Sequence, residues 1–340
     1  MNNIPEDAHI FTTHARLLRL PERLLNNSAV IIDEDIIPMM ISCSSVSMEE
    51  FHRLCSAAPG SFIQNKLYKI KENLTGKPHY FHLDKASYSA DYKSTVMSGF
   101  ADQGIAFTEN IWGLLESENY YYCTADKSVH FSCVRHLKTA AKVIMMSATA
   151  NEKICRLVFG DNINFCDTGQ IKYKGKVILH REKSYSRAFL SSENRGGEIM
   201  KNIADKHGEC GYITYKEYCR YIDHPCTYYG KALGTNEFEG RDIVIIGLNH
   251  RPFYVYELFA AALGISASDT LTTRKVQLNG FEFYTMTYGN EELRNIQQYM
   301  IMSDLEQAVG RARLIHHDCT VHLYGNFPAE QSILAEEYTE

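Results

Sequence analysis

The stretch "AVIIDEDI" (29–36) sets an apolar run, Val30-Ile31-Ile32, directly against three acids, Asp33, Glu34 and Asp35. Two adjacent carboxylates at the end of a buried strand have a specific chemical use. One can hold Mg²⁺, a hard cation that takes oxygen ligands. The other can take a proton from an attacking water. Asp33 and Glu34 suit those two roles, at the sheet edge where ligands of open α/β folds bind. The same residues would also make a charged turn after a buried strand, so the pair needs company before chemistry can be assigned.

Three further segments supply that company. "MMSATA" (145–150) follows a strong apolar run with Ser147, Ala148 and Thr149. "GTNEFEGRDIVIIG" (234–247) puts Gly234, Thr235 and Asn236 in a turn ahead of another apolar run. For both, ordinary turn chemistry at a strand end is the alternative account. In "SDLEQAVGRARL" (303–314), Ser303 and Glu306 are spaced as a capping box, which predicts a helix beginning just after Ser303. On that helix Gln307, Gly310 and Arg311 fall on one stripe. Gly310 costs a helix roughly 1 kcal/mol against Ala, which a close backbone approach or a helix end would explain. Arg311 and Arg313 could equally serve as a solvated basic helix end that suits the helix dipole.

The elements that must position these residues are strands of a parallel sheet. "AVIID" (29–33), "KVIMMS" (142–147), "KVILHR" (176–181), "GYITY" (211–215), "DIVIIG" (242–247) and "TVHLYG" (320–325) are short apolar runs. Most are continuous rather than alternating, the pattern of strands buried on both faces. The stretches between them are long enough for helices, which predicts an α/β architecture. "KVQLNGFEFYTMTYG" (275–289) differs: Asn279-Gly280 between alternating runs predicts a hairpin. Between 37 and 140, "SMEEFHRLCSAA", "DYKSTVMSGFADQG" and "TENIWGLLESENYYY" predict a mostly helical insertion, with "ENLTGKPHYFHLD" as a loop. The run Tyr120-Tyr121-Tyr122 offers rings for base stacking or, more simply, is divided between core and surface.

The chain has 340 residues, enough for two domains of ordinary size; 45% are hydrophobic and 22% charged, the balance of a globular protein. A net charge of −6 argues against a globally basic nucleic-acid coat, so a nucleic acid would be met by a local groove. Ten cysteines without close-spaced pairs point to reduced thiols and a cytoplasmic setting. Cys123 and Cys133, with His130 between them, come nearest to a metal cluster, but their spacing fits no zinc or iron–sulfur pattern. "MNNIPEDAHIF" (1–11) has no basic region followed by an apolar core, so no signal peptide is expected, and no apolar run approaches the roughly 20 residues a membrane span needs.

Taken in order, these segments resemble the motor motifs of superfamily 2 helicases. Val30 to Asp35 resembles the DExD-type magnesium motif, and Ser147-Ala148-Thr149 the coupling motif. Gly234-Thr235-Asn236 is similar to the motif that senses nucleotide and contacts the strand. Gln307 to Arg313 is similar to the Gln-x-x-Gly-Arg motif that supplies the arginine finger. "FTTHARLL" (11–18), with Thr13 and His14, resembles a strand-gripping segment, although a capped helix start is the simpler account. The general flavour is that of motors from phages and mobile elements.

The resemblance implies two RecA-like α/β domains. Residues 1–165 would be the first, carrying the helical insertion at 37–140; residues 170–340 would be the second, carrying a hairpin insertion at about 274–289. It implies ATP and Mg²⁺ as cofactors, single-stranded or duplex DNA as partner with RNA also open, and no membrane. Asp33 and Glu34 would act on Mg²⁺ and the attacking water. Arg311 or Arg313 would reach the transferring phosphoryl group. One part is missing: no Gly-x-x-x-x-Gly-Lys-Ser/Thr phosphate loop occurs, and only 32 residues precede Asp33. The expectation is therefore a motor fragment whose loop lies on an N-terminal segment or a partner chain. Alternatively the chain is a catalytically silent nucleic-acid-binding or assembly module.

Overall fold

The apolar run that leads into the acids forms a strand of the first of two units. In the computed structural model, which describes residues 9–58, 61–192, 195–231, 237–266 and 269–338, one unit comprises Met1–Ala148 and Pro252–Ala267. The other comprises Thr149–Arg251 and Ser268–Glu340. Among the described residues the first unit has strands β1 (Ala29–Asp33), β2 (Ile41–Ser47), β3 (His79–His82), β4 (Asn119–Cys123), β5 (Ser128–Val134) and β6 (Lys142–Met146).

Strands β1 and β6 pair in parallel, from Ala29 opposite Lys142 to Asp33 opposite Met146. Along β1, Val30 and Ile32 are buried while Ile31 is 65% exposed. Val143, Ile144 and Met146 of β6 are exposed as well.

The segment 37–140 corrects the helical expectation. Its helices are there: Met48–Ala57, Ser61–Glu72, Ala90–Asp102 and Ile111–Glu116. Ser47, Ser89 and Asn110 start three of them by accepting the backbone N–H of Glu50, Tyr92 and Gly113. Around them runs a four-stranded antiparallel sheet in the order β2-β5-β4-β3. Aromatic cross-strand pairs hold it, with Phe81 of β3 stacked on Tyr120 of β4 at 5.0 Å. The Tyr120 hydroxyl donates to the carbonyls of Leu114 and Ser117 at 2.7 and 2.6 Å, so a phenol with no solvent exposure is satisfied. Tyr121 points to the opposite face and stacks on Tyr254 at 4.8 Å. Both rings are core, and neither is presented to a base. The helix Phe253–Ala262, though distant in sequence, belongs to this unit and packs on β2, β4 and β5.

The second unit has strands β7 (Lys176–His180), β8 (Gly211–Thr214), β9 (Cys226–Tyr228), β10 (Ile243–Ile246), β11 (Thr272–Leu278), β12 (Phe281–Thr287), β13 (Thr320–Tyr324) and β14 (Ser332–Leu334). Six of them form one sheet in the order β14-β7-β13-β10-β8-β9, and every pairing in it is parallel. Its continuous apolar runs are explained by two covered faces. Val177, Leu179, Ile243, Ile245, Val321 and Leu323 pack with Ile301, Leu305 and Ala308 of the helix Glu291–Val309. Tyr212, Val244, Ile246 and Tyr324 face the other way, onto Met200, Ile203 and Ala204 of the helix Gly196–His207. The fold class is thus mixed α/β with parallel sheets.

Strands β11 and β12 form a hairpin closed by Asn279 and Gly280, at φ of 47° and 84°, the positive values a two-residue turn of this hand requires. The helix after it corrects the capping-box reading. It begins at Glu291, where Asn290 accepts the Leu293 N–H at 3.1 Å, and Ser303 lies well inside it. Leu293, Ile296, Tyr299 and Met300 are buried along the preceding turns, so packing carries the helix through the serine. Among the described residues no helix is long and apolar enough to cross a membrane.

Candidate functional site

The parallel register of β1 and β6 brings two of the sequence motifs to one edge. Asp33 ends β1 opposite Met146, and the Glu34 N–H donates to the Met146 carbonyl at 2.8 Å. Ser147 and Ala148 therefore leave the sheet beside Asp33 and Glu34. Both acids are exposed, which suits a cation that keeps much of its water, as Mg²⁺ does. Glu34 sits at φ 74°, a left-handed backbone that costs a glutamate about 1 kcal/mol or more. Asp35 does something else: its carboxylate accepts the Ile37 N–H at 2.9 Å and anchors the short turn Ile37–Met40. The oxygen donors at this edge fit Mg²⁺. For ATP the fit is partial: Gly-Lys pairs occur at 76–77, 175–176 and 230–231, none followed by Ser or Thr, and two of these glycines have other uses. Gly175 packs where a side chain would strike the Cys319 carbonyl, and Gly230 is a turn residue at φ 89°.

In the second unit Gln307 and Arg311 line one cavity of about 140 Å³ with Tyr229, Asn249, Arg251 and Asp304. The Asp304 carboxylate accepts from Asn249 Nδ2 at 2.8 Å and pairs with Arg251 Nη2 at 3.3 Å. Tyr229 donates its hydroxyl to the Gly247 carbonyl at 2.8 Å, and burial holds its phenol far above the ordinary tyrosine range. Two guanidinium groups against one carboxylate favour an anion. The cavity's volume is below the roughly 300 Å³ at which small-molecule pockets begin and is nearer the size of a phosphoryl group.

Gly310 and Arg313 do not line the cavity. The helix stops at Val309 and tightens into a 3₁₀ turn over Gly310–Ala312, closed by Arg313 at φ 55°. A side chain at Gly310 would meet nothing within 4 Å, so the helix end explains this glycine and a close backbone approach does not. Arg313 is exposed and turned away from the stripe that carries Gln307 and Arg311.

The remaining expectations divide. Thr149 lies in the second unit and accepts a hydrogen bond from Ser303 Oγ at 3.3 Å. Thr13 precedes the short helix His14–Leu17 without a side-chain cap; its carbonyl accepts from Arg16 and Leu17 instead. Gly234, Thr235 and Asn236 lie outside the described residues. Cys133 does not join Cys123 and His130; Asp126 does, with a carboxylate oxygen 2.8 Å from His130 Nε2. Sequence reasoning missed Asn249, Arg251 and Asp304. Asp304 was within reach, since it stands three positions before Gln307 on the same helical stripe. "LNHR" (248–251), the polar run just past β10, was the corresponding signal for the other two.

No protein-family model matches this chain, and no curated protein matches it. Solved structures similar to it include an XPD helicase at 12% identity, with a TM-score of 0.48 over 87% of this chain. An apo XPD is similar at 13% identity, over 93% of this chain and 78% of its own, with a TM-score of 0.48. Xpd4 of S. tokodaii follows at 11% identity, over 87% of this chain and 71% of its own, with a TM-score of 0.44. The chain spans 64% of the length of the first of these helicases.

Proposed function

We propose that this chain is part of an ATP-dependent nucleic-acid helicase or translocase of superfamily 2, acting on DNA. The observation that carries the reading is the shared edge of β1 and β6. There a magnesium-type acid pair and the Ser-Ala part of a coupling motif, 114 residues apart from Asp33 to Ser147, are brought side by side by strand register. The anion-favouring cavity at Gln307 and Arg311 supplies a second motif in chemically useful form. In this reading Asp33 holds Mg²⁺, Glu34 orients and deprotonates water, and Arg311 rather than Arg313 meets the phosphoryl group. When bound, ATP supplies the phosphoryl transfer.

The phosphate loop would come from a further polypeptide segment, on the same chain or on a partner. Among the described residues β1 and β6 pair only with each other, and Ile31, Val143 and Met146 remain exposed. Parallel strands are ordinarily covered on both faces, which supports a covering segment here. The absence of a Gly-x-x-x-x-Gly-Lys-Ser/Thr sequence favours a second reading for the chain by itself, a nucleic-acid-binding module without hydrolysis.

The test is DNA-stimulated ATP hydrolysis, measured on the chain alone and joined to whatever in-frame sequence is encoded upstream. Turnover confined to the joined protein, and lost in Glu34→Gln and Arg311→Ala but not in Arg313→Ala, supports the motor. DNA binding without hydrolysis in either form leaves the binding module. Turnover by the chain alone, abolished by Glu34→Gln, overturns the need for a separate loop.

A further inference from the structure

Three histidines converge on the face of the second sheet that carries the helix Gly196–His207. His180 ends β7, His322 lies in β13, and His207 is the last residue of that helix. Because Val177, Leu179, Val321 and Leu323 fill the opposite core, strand alternation sends His180 and His322 to this side together. One ring nitrogen from each of the three lies within 4.8 Å of the other two.

One of these separations is that of co-ligands. His180 Nε2 and His322 Nδ1 are 3.2 Å apart. Two nitrogens each about 2.0–2.1 Å from a tetrahedral zinc stand roughly 3.3–3.4 Å from one another. One orienting contact is also of the right kind: His207 Nε2 lies 2.7 Å from the Tyr324 hydroxyl. Metal-bound imidazoles are generally fixed by an oxygen partner on their second nitrogen. The buried His180 ring is locked further by stacking on Tyr324 at 4.2 Å and 4°. A cation beside the last turn of the helix Gly196–His207 would also face the negative end of its dipole.

A nitrogen-only set selects Zn²⁺, Co²⁺, Ni²⁺ or Cu²⁺ over Mg²⁺ and Ca²⁺. None of these residues belongs to the acid edge or to the Gln307–Arg311 cavity. We propose that His180, His207 and His322 form a binding site for a divalent transition ion, zinc above all, with solvent as fourth ligand. The ion ties β7, β13 and a helix end, three elements far apart in the chain, at one point.

The test uses the purified chain, stripped with a chelator and titrated with Co²⁺ and then with Zn²⁺. Expected are one equivalent of Co²⁺ with a tetrahedral d–d spectrum and no thiolate charge-transfer band, displacement by Zn²⁺, and a metal-dependent rise in Tm. His207→Gln, at the edge of the cluster, should weaken uptake by at least about tenfold while far-UV circular dichroism is kept. His52→Gln, at an exposed histidine of the first unit, should change nothing. A thiolate band places the ion on cysteines, uptake unaffected by His207→Gln places it away from the three histidines, and either overturns the proposal. So does no uptake at metal equal to protein, which leaves a hydrogen-bonded cluster of rings.

Discussion

The six-stranded sheet of the second unit and the β1–β6 pair of the first are written in the same residue code and have opposite fates. Both use continuous runs of Val, Ile and Met bounded by polar residues. In the larger sheet the central strand β10 has no exposed side chain, because a helix lies on each face. In the smaller one Ile31 is 65% and Met146 52% exposed. An apolar run therefore reports what a strand requires, and among the described residues the requirement is met in one sheet and not in the other. The uncovered strands are also the ones that carry Asp33, Glu34 and Ser147, so cover and chemistry would arrive together.

Substitutions can break or sharpen this contrast. Ile245→Ala, in the middle of the larger sheet, should lose about 2–5 kcal/mol of stability in chemical denaturation. A loss near zero would mean that the two covered faces are not tightly packed. Glu306→Gln comes next. Burial raises the Glu306 carboxyl to about 7, even though it accepts the Glu330 N–H at 2.7 Å. The folded state therefore holds this proton more tightly than the unfolded chain. Its stabilising effect is complete below the ordinary glutamate pKa and is lost as pH rises through about 7. Glu306→Gln should exceed the parent by on the order of 1–3 kcal/mol at pH 8 and match it near pH 4, while a pH-independent difference would contradict the assignment.

Asp304→Ala removes the acceptor shared by Asn249 and Arg251 and should cost about 1 kcal/mol, measured by urea titration; no change would show that water replaces it without loss. The smallest effect belongs to the uncovered strand. Ile31→Lys should leave stability within about 0.5 kcal/mol. The same variant should weaken capture of a loop-bearing polypeptide in a pull-down. A large loss of stability instead would mean that Ile31 is already covered.

Six strands were legible as apolar runs, and each forms within a residue or so of its expected bounds. What escaped was the antiparallel sheet of the first unit. Ile41–Ser47 contains four serines in seven residues, and its half-buried alternation is masked by hydroxyls too small to read as polar or apolar. The tyrosines of β4 resembled the tail of a helix because the strand follows Glu116 after only two residues. At the candidate site, Gln307 and Arg311 were legible because helical spacing alone puts them on one stripe. Arg251 and Asn249 were not, since their approach to Asp304 depends on a loop that sequence periodicity does not describe. The three histidines were invisible for a similar reason: 27 positions separate His180 from His207, and only sheet register relates either to His322.

The helix Phe253–Ala262 also sets a schedule. The chain crosses from one unit to the other three times, after Ala148, after Arg251 and after Ala267. Synthesis delivers the N-terminal end first. The first unit thus lacks a buried face for Tyr121, Tyr254 and Phe259 until β7, β8 and β10 of the second have already been made. On the ribosome the first unit cannot be completed before much of the second has been made, and no single cut could release either one whole.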